Sequence, residues 1–97
     1  MADPTREDID ATAGLVALEF GTGWCGFCQA ARPLIDAALA DSGARHISVE
    51  DGKGRKLGRT FGVKLWPTVV VLRDGKEIAR VVRPKSEAEV RTALATT

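Results

Sequence analysis

The sequence predicts an α/β domain built on a four-stranded mixed sheet with helices on both faces. Three observations lead there. An apolar run, a helical repeat and a second apolar run follow one another within about 35 residues, the mark of a right-handed parallel crossover. A β-branched run ends at Asp74-Gly75, which predicts a tight hairpin and one antiparallel pairing. Ser86-Glu87-Ala88-Glu89 then reads as a capping box that opens a last helix.

Taken in order, Asp3-Pro4 suits an N-cap and first helical position, which predicts a brief helix over roughly residues 4 to 12 that ends near Gly14. Leu15 to Phe20 is apolar except at Glu19, as suits a strand covered on both faces. After Gly21-Thr22-Gly23, a helix starts near Cys25 and carries Ala31, Leu34, Ile35, Ala38 and Leu39 at spacings of three and four; it stops at Ser42-Gly43. His46 to Val49 reads as the second strand. Asp51 to Leu65 is basic and glycine-rich and supplies at most a short helix around Arg55 to Phe61. Thr68 to Leu72 is rich in β-branched residues, and Glu77 to Val82 returns antiparallel to it. Val90, Ala93 and Leu94 give the last helix one apolar face.

The chain of 97 residues is the length of one compact domain, 1–97, without internal repeats or linkers. Its 14 Lys and Arg against 13 Asp and Glu place no demand for nucleic acid or an anionic membrane. No apolar run approaches the roughly 20 residues of a membrane span, and the polar, acidic first residues lack the pattern of a signal peptide. A cytoplasmic protein is expected. In a reducing cytosol, two close cysteines point to redox chemistry or metal binding rather than to a permanent staple.

The two cysteines lie in Trp24-Cys25-Gly26-Phe27-Cys28, spaced so that one helical turn brings the sulfurs together. Only a thiolate attacks, and a free thiol near pKa ~8.5 is about 3% ionised at pH 7. Cys25 at the first turn of a helix meets unpaired N–H groups and the positive end of the dipole, which favour its thiolate. Cys28, one turn further on, is placed to resolve a mixed disulfide. Zinc binding is the rival reading, but beyond the two sulfurs the chain offers only one further soft-to-borderline ligand, His46, which reads as an ordinary surface or strand-edge residue. No metal or other cofactor is expected.

Cys25-Gly26-Phe27-Cys28, Pro33 in the following helix, Trp66-Pro67-Thr68 before a strand, and Asp74-Gly75 together resemble the thioredoxin family over roughly Leu15 to Leu94. A C-x-x-C beside a strand–helix–strand pattern is itself a general signal of that fold. The resemblance implies a thiol–disulfide oxidoreductase acting on protein disulfides, recycled by a reductase such as thioredoxin reductase, and working as a monomer without nucleic acid or membrane. It implies a cis Pro67 facing the dithiol, with Trp24, Gly26, Phe27, Trp66, Pro67 and Thr68 forming a surface for extended substrates by strand addition. It also places Glu19 where the family carries a buried acid, usually Asp, able to accept the proton of Cys28 and return it. An outward-pointing Glu19 at a strand edge, and a Trp66 packed inward as core, are the alternatives.

The chain departs from the family at three places. Gly26-Phe27 replaces the usual Gly-Pro, which frees an N–H for the thiolate and makes the pair more oxidising. Arg83-Pro84 stands where a glycine usually lets a partner's backbone approach; Arg83 either attracts acidic substrates or is an ordinary exposed arginine. The first fourteen residues are too few for the family's additional strand and helix, so the first edge strand is expected to be missing or vestigial. Lys53, Arg55, Lys56, Arg59 and Lys64 form either a docking patch or a solvated face. The same fold could also serve as a non-catalytic binding module or a redox sensor.

Overall fold

A computed structural model describes residues 4–96. In chain order the elements are α1 (Arg6–Asp10), β1 (Leu15–Gly21), α2 (Gly26–Ala40), β2 (Arg45–Glu50), α3 (Leu57–Thr60), β3 (Thr68–Arg73), β4 (Lys76–Val82) and α4 (Glu87–Leu94). The sheet order is β2-β1-β3-β4, with β1 parallel to β2 and antiparallel to β3, and β3 antiparallel to β4. Among the described residues no strand precedes α1, which leaves β2 as an edge.

α1 is shorter than the sequence predicts. Asp3 lies outside the described residues, and the cap is Thr5: its hydroxyl accepts from the Asp8 N–H while the Asp8 carboxylate accepts from the Thr5 N–H. This reciprocal box satisfies two donors that a Pro at the first position would not. α4 is opened by the same device, with Ser86 and Glu89. Asp74 and Gly75, at φ 52° and 82°, make the hairpin turn between β3 and β4. Its two left-handed residues match the right-handed twist of the strands.

Alternation along β1 sorts its side chains between two cores. Val16, Leu18 and Phe20 face α1 and α3 with Ile9, Leu57 and Phe61, while Ala17 faces α2 and α4 with Ile35, Val90 and Leu94. β3 feeds both cores through Val69 and Val71 on one side and Val70 and Leu72 on the other. Each of these fully enclosed side chains contributes about 1.5–3 kcal/mol, which is why β3 carries no polar residue between Thr68 and Arg73. By the same alternation Glu19 and Gly21 lie on the α2 side, at the end of β1 from which the chain turns into α2.

Candidate active site

Cys25 is the N-cap of α2, in extended backbone at φ −76° and ψ 121°, and its sulfur accepts the N–H of Cys28 at 3.3 Å. A helix start leaves its first N–H groups without intrahelical partners, and here the sulfur takes one. Burial opposes a charge on Cys25, but the Cys28 thiol and N–H, the Phe27 N–H and the positive charge of Arg83 together hold its pKa below the ordinary thiol value. A proline in place of Phe27 could not donate that bond. Cys28 is the opposite case. Burial first, then the neighbouring Cys25 and the charge of Glu19, push its pKa up to about 11. The residue exposures run the same way, 7% for Cys25 and 1% for Cys28. Gly26 has open space where a side chain would be, so nothing on that residue crowds the surface beside Cys25.

Gly21 is a residue that spacing alone does not single out. A Cβ built on it would lie 2.6 Å from the Cys28 sulfur. Gly21→Ala is therefore expected to lower stability by about 1–3 kcal/mol, the usual penalty for overpacking, and to displace Cys28 from Cys25. Thermal melts and the rate of intramolecular disulfide closure read the two effects.

Glu19 is 3% exposed, in a strand paired on both sides, which excludes an outward-pointing residue at a strand edge. Its Oε1 lies 2.7 Å from His46 Nε2, and its Oε2 lies 3.9 Å from the guanidinium of Arg32 on α2. His46 sits on the edge strand as expected, yet it is not an idle residue, for its side chain is 30% exposed and faces the one buried acid of β1. Its hydrogen bond to Glu19 raises its pKa above 6.5; burial opposes this, the charges of Glu19 and Asp36 add to it, and Arg32 subtracts. The Asp36 carboxylate, Glu19 and His46 bring ligand atoms within 4.8 Å of one another, apart from the cysteines.

The sign of this shift fixes a pH dependence. A raised folded-state pKa means that the imidazolium stabilises the fold fully below 6.5, and that the contribution fades as pH rises through the folded value. Melting temperatures measured between about pH 5 and 9 should fall for the natural chain above the ordinary histidine value, and His46→Gln should flatten that part of the curve. Parallel curves for the two proteins would remove the charged pair from the account.

Trp66-Pro67-Thr68 forms the opposite wall. The Trp66–Pro67 peptide bond is cis. Trp66 is half-buried and belongs to neither core; its ring meets Trp24 edge to face, centroids 5.7 Å apart, and its Nε1 donates to Asp51 at 2.8 Å. Asp51 in turn is packed against Gly58, where any side chain would strike its carboxylate. Thr68 is enclosed and its hydroxyl donates to Leu65 O, so it shapes the loop rather than the exposed surface. Trp24 is 75% and Phe27 58% exposed, and exposed Leu65 extends this apolar surface. Arg83, at φ 50°, donates from Nε to Trp66 O at 2.8 Å and lies 3.9 Å over the Phe27 ring.

Two free thiols of opposed acidity, one turn apart at the start of a helix, suit the trading of a disulfide with another molecule, and a protein of this fold with such a pair is a thiol–disulfide oxidoreductase. Comparison with known proteins agrees. Residues 3–96 match the thioredoxin family. A thioredoxin of Chlamydia pneumoniae is 31% identical over 88 residues, covering 86% of this chain and 84% of that protein. The structure of thioredoxin 2 from Pseudomonas aeruginosa PAO1 in its reduced form superposes with a TM-score of 0.84 at 54% identity, covering 96% of this chain and 88% of that one. A mutant thioredoxin from Halobacterium salinarum, 23% identical, shares the fold with a TM-score of 0.80 over 96% of this chain and 84% of its own. The chain belongs to the thioredoxin family and is a protein-disulfide reductase. Among the described residues no helix is long and apolar enough to cross a membrane.

Proposed function

We propose that the chain reduces disulfides in other proteins by two successive exchanges, with Cys25 as nucleophile, Cys28 as resolving thiol and Glu19 as the group that takes the proton of Cys28. The Cys25 thiolate attacks one sulfur of the substrate disulfide; a Cys25–substrate bond forms, the substrate S–S bond breaks, and the second substrate sulfur leaves as thiolate. Cys28 passes its proton to Glu19 and attacks Cys25. The Cys25–Cys28 bond forms, the substrate departs with both sulfurs reduced, and this chain holds the disulfide. Two electrons have moved, and a reductase or a dithiol must return them.

The observation that supports the reading is the asymmetry of the pair, Cys25 held below the ordinary thiol value and Cys28 pushed up to about 11. The acidic thiol attacks first because it is already charged; the other waits until the mixed disulfide has formed. Trp24, Phe27, Trp66 and the backbone around Pro67 provide the platform against which an extended segment is laid, with no side chain on Gly26 to crowd it. We assign the protein to the reducing cytoplasm as a monomer, where both thiols start free.

Insulin reduction driven by dithiothreitol tests the assignment. Acceleration over dithiothreitol alone is expected, and its absence would point to a binding module that keeps the fold without turnover. A Cys25–Cys28 potential in the range of disulfide isomerases, near about −180 mV, would reverse the proposed direction of electron flow.

A further inference from the structure

We propose that Arg83 makes the groove beside Cys25 selective for protein disulfides flanked by an acidic residue, so that the preferred substrate is an extended segment with Asp or Glu next to the attacked cysteine. The inference rests on the reductase reading above and adds to it a substrate class.

Arg83 is fixed in place from three sides. Its own N–H donates to Pro67 O at 2.8 Å, its Nε donates to Trp66 O at 2.8 Å, and its guanidinium carbon lies 3.9 Å over the centre of the Phe27 ring. It holds this place at φ 50°, where any residue but glycine is strained. Among the described residues no carboxylate pairs with it, and its terminal nitrogens keep donors for an incoming group. A preset guanidinium fork with one edge committed offers the other to a carboxylate, and little side-chain freedom is left to lose when it binds.

The surroundings favour an acidic peptide. Phe27, Ala30 and Leu34 of α2 face Arg83, Pro84 and Lys85 across a groove of about 500 Å³, an apolar floor with two cations on one rim. On the other flank of the site a shallow depression runs from Trp66 past Lys53, Arg59 and Lys64. Its one acid, Asp51, is engaged by the Trp66 indole. The Trp66 carbonyl matters most. Arg83 takes one of the two lone pairs of this acceptor, which leaves less of it for the backbone of an extended segment. Part of the recognition is thereby carried by the side chain that meets Arg83.

The test uses the full chain and two short peptides, each with one disulfide, identical except that Glu or Gln flanks the attacked cysteine. The second-order rate constant of the first exchange is expected to favour the Glu peptide by about 5- to 10-fold at low salt, and the ratio to shrink as salt screens the half-exposed pair. Arg83→Gly, which suits the left-handed backbone, should bring the ratio near one, while Arg83→Lys should fall between. Removing the charge also alters Cys25, but equally for both peptides, so the ratio isolates recognition. Equal rates for the natural chain, or a Glu preference that survives Arg83→Gly, would overturn the inference alone. Reduction of neither peptide would overturn the reductase reading itself. Oxidised glutathione carries carboxylates on a small molecule; its preference over the Glu peptide would overturn the assignment to polypeptide.

Discussion

Cys28→Ser is expected to halt the exchange at the mixed disulfide and leave a covalent adduct between Cys25 and the substrate, visible without reductant and dissolved by dithiothreitol. Cys25 still attacks in this variant, because its thiolate is supported by backbone donors of Phe27 and Cys28 that the substitution does not remove. No second sulfur is then left to attack it. Cys25→Ser is expected to give no adduct and to reduce insulin turnover by at least about 10²-fold, the scale of a lost catalytic group. The remaining thiol of Cys28 is 1% exposed, and burial together with the charge of Glu19 still disfavours its thiolate once Cys25 is gone. An adduct trapped by Cys25→Ser and not by Cys28→Ser would exchange the two roles.

What could be read from the sequence and what could not follows from the range of the interactions. The C-x-x-C pair and the cap of α2 are local: one turn of helix sets them, and the turn is written in consecutive residues. The capping box at Ser86 and the Asp74-Gly75 turn are equally local and fall where expected. Glu19 could be read as buried because its neighbours are apolar. Its partner could not, since His46 lies 27 residues away and reaches Glu19 only through the parallel register of β1 and β2, in which Ala17 and not Glu19 stands opposite His46. Side chains two apart on neighbouring strands share a face, and no pattern within either strand announces which diagonal pair will meet. The contacts of Gly21 with Cys28 and of Asp51 with Trp66 and Gly58 likewise exist only once separate elements have packed together. Thr5 replaced Asp3 as the cap of α1 because a box closed by Asp8 outweighs the general preference for proline at a helix start.

Phe27 and Arg83 show how two departures from a family pattern become one feature once they are folded. They lie far apart in sequence, on α2 and just beyond β4, and nothing in either segment tells that the two side chains meet. In the fold the arginine caps the wall opposite the dithiol and stacks on the phenylalanine, while both favour the Cys25 thiolate, Phe27 through its N–H and Arg83 through its charge. Attack chemistry and substrate recognition are therefore coupled at one contact.

Glu19→Gln is the second large expected effect, and it falls on the resolving step. The proton on Cys28 must leave before that sulfur can attack, and a thiol pushed up to about 11 does not lose it readily to water at neutral pH. Glu19 is the buried acid whose charge Cys28 feels, whereas glutamine keeps the volume and the hydrogen bond to His46 but cannot hold a proton. Release of substrate from the mixed disulfide should therefore slow by about 10²-fold, within the usual range for a lost general base. The first attack should change much less, since Cys25 does not wait on that proton. Stopped-flow measurement of the two phases separates them. Glu19→Asp, one methylene shorter, should restore part of the second phase, because a carboxyl is again present although withdrawn from His46. A merely structural Glu19 would instead slow neither phase in Glu19→Gln, or both alike, and raising the pH toward the Cys28 value would not recover the rate. Recovery at high pH, confined to the second phase, is the result that fits proton transfer: once solvent hydroxide can take the proton, the missing carboxylate no longer limits the step.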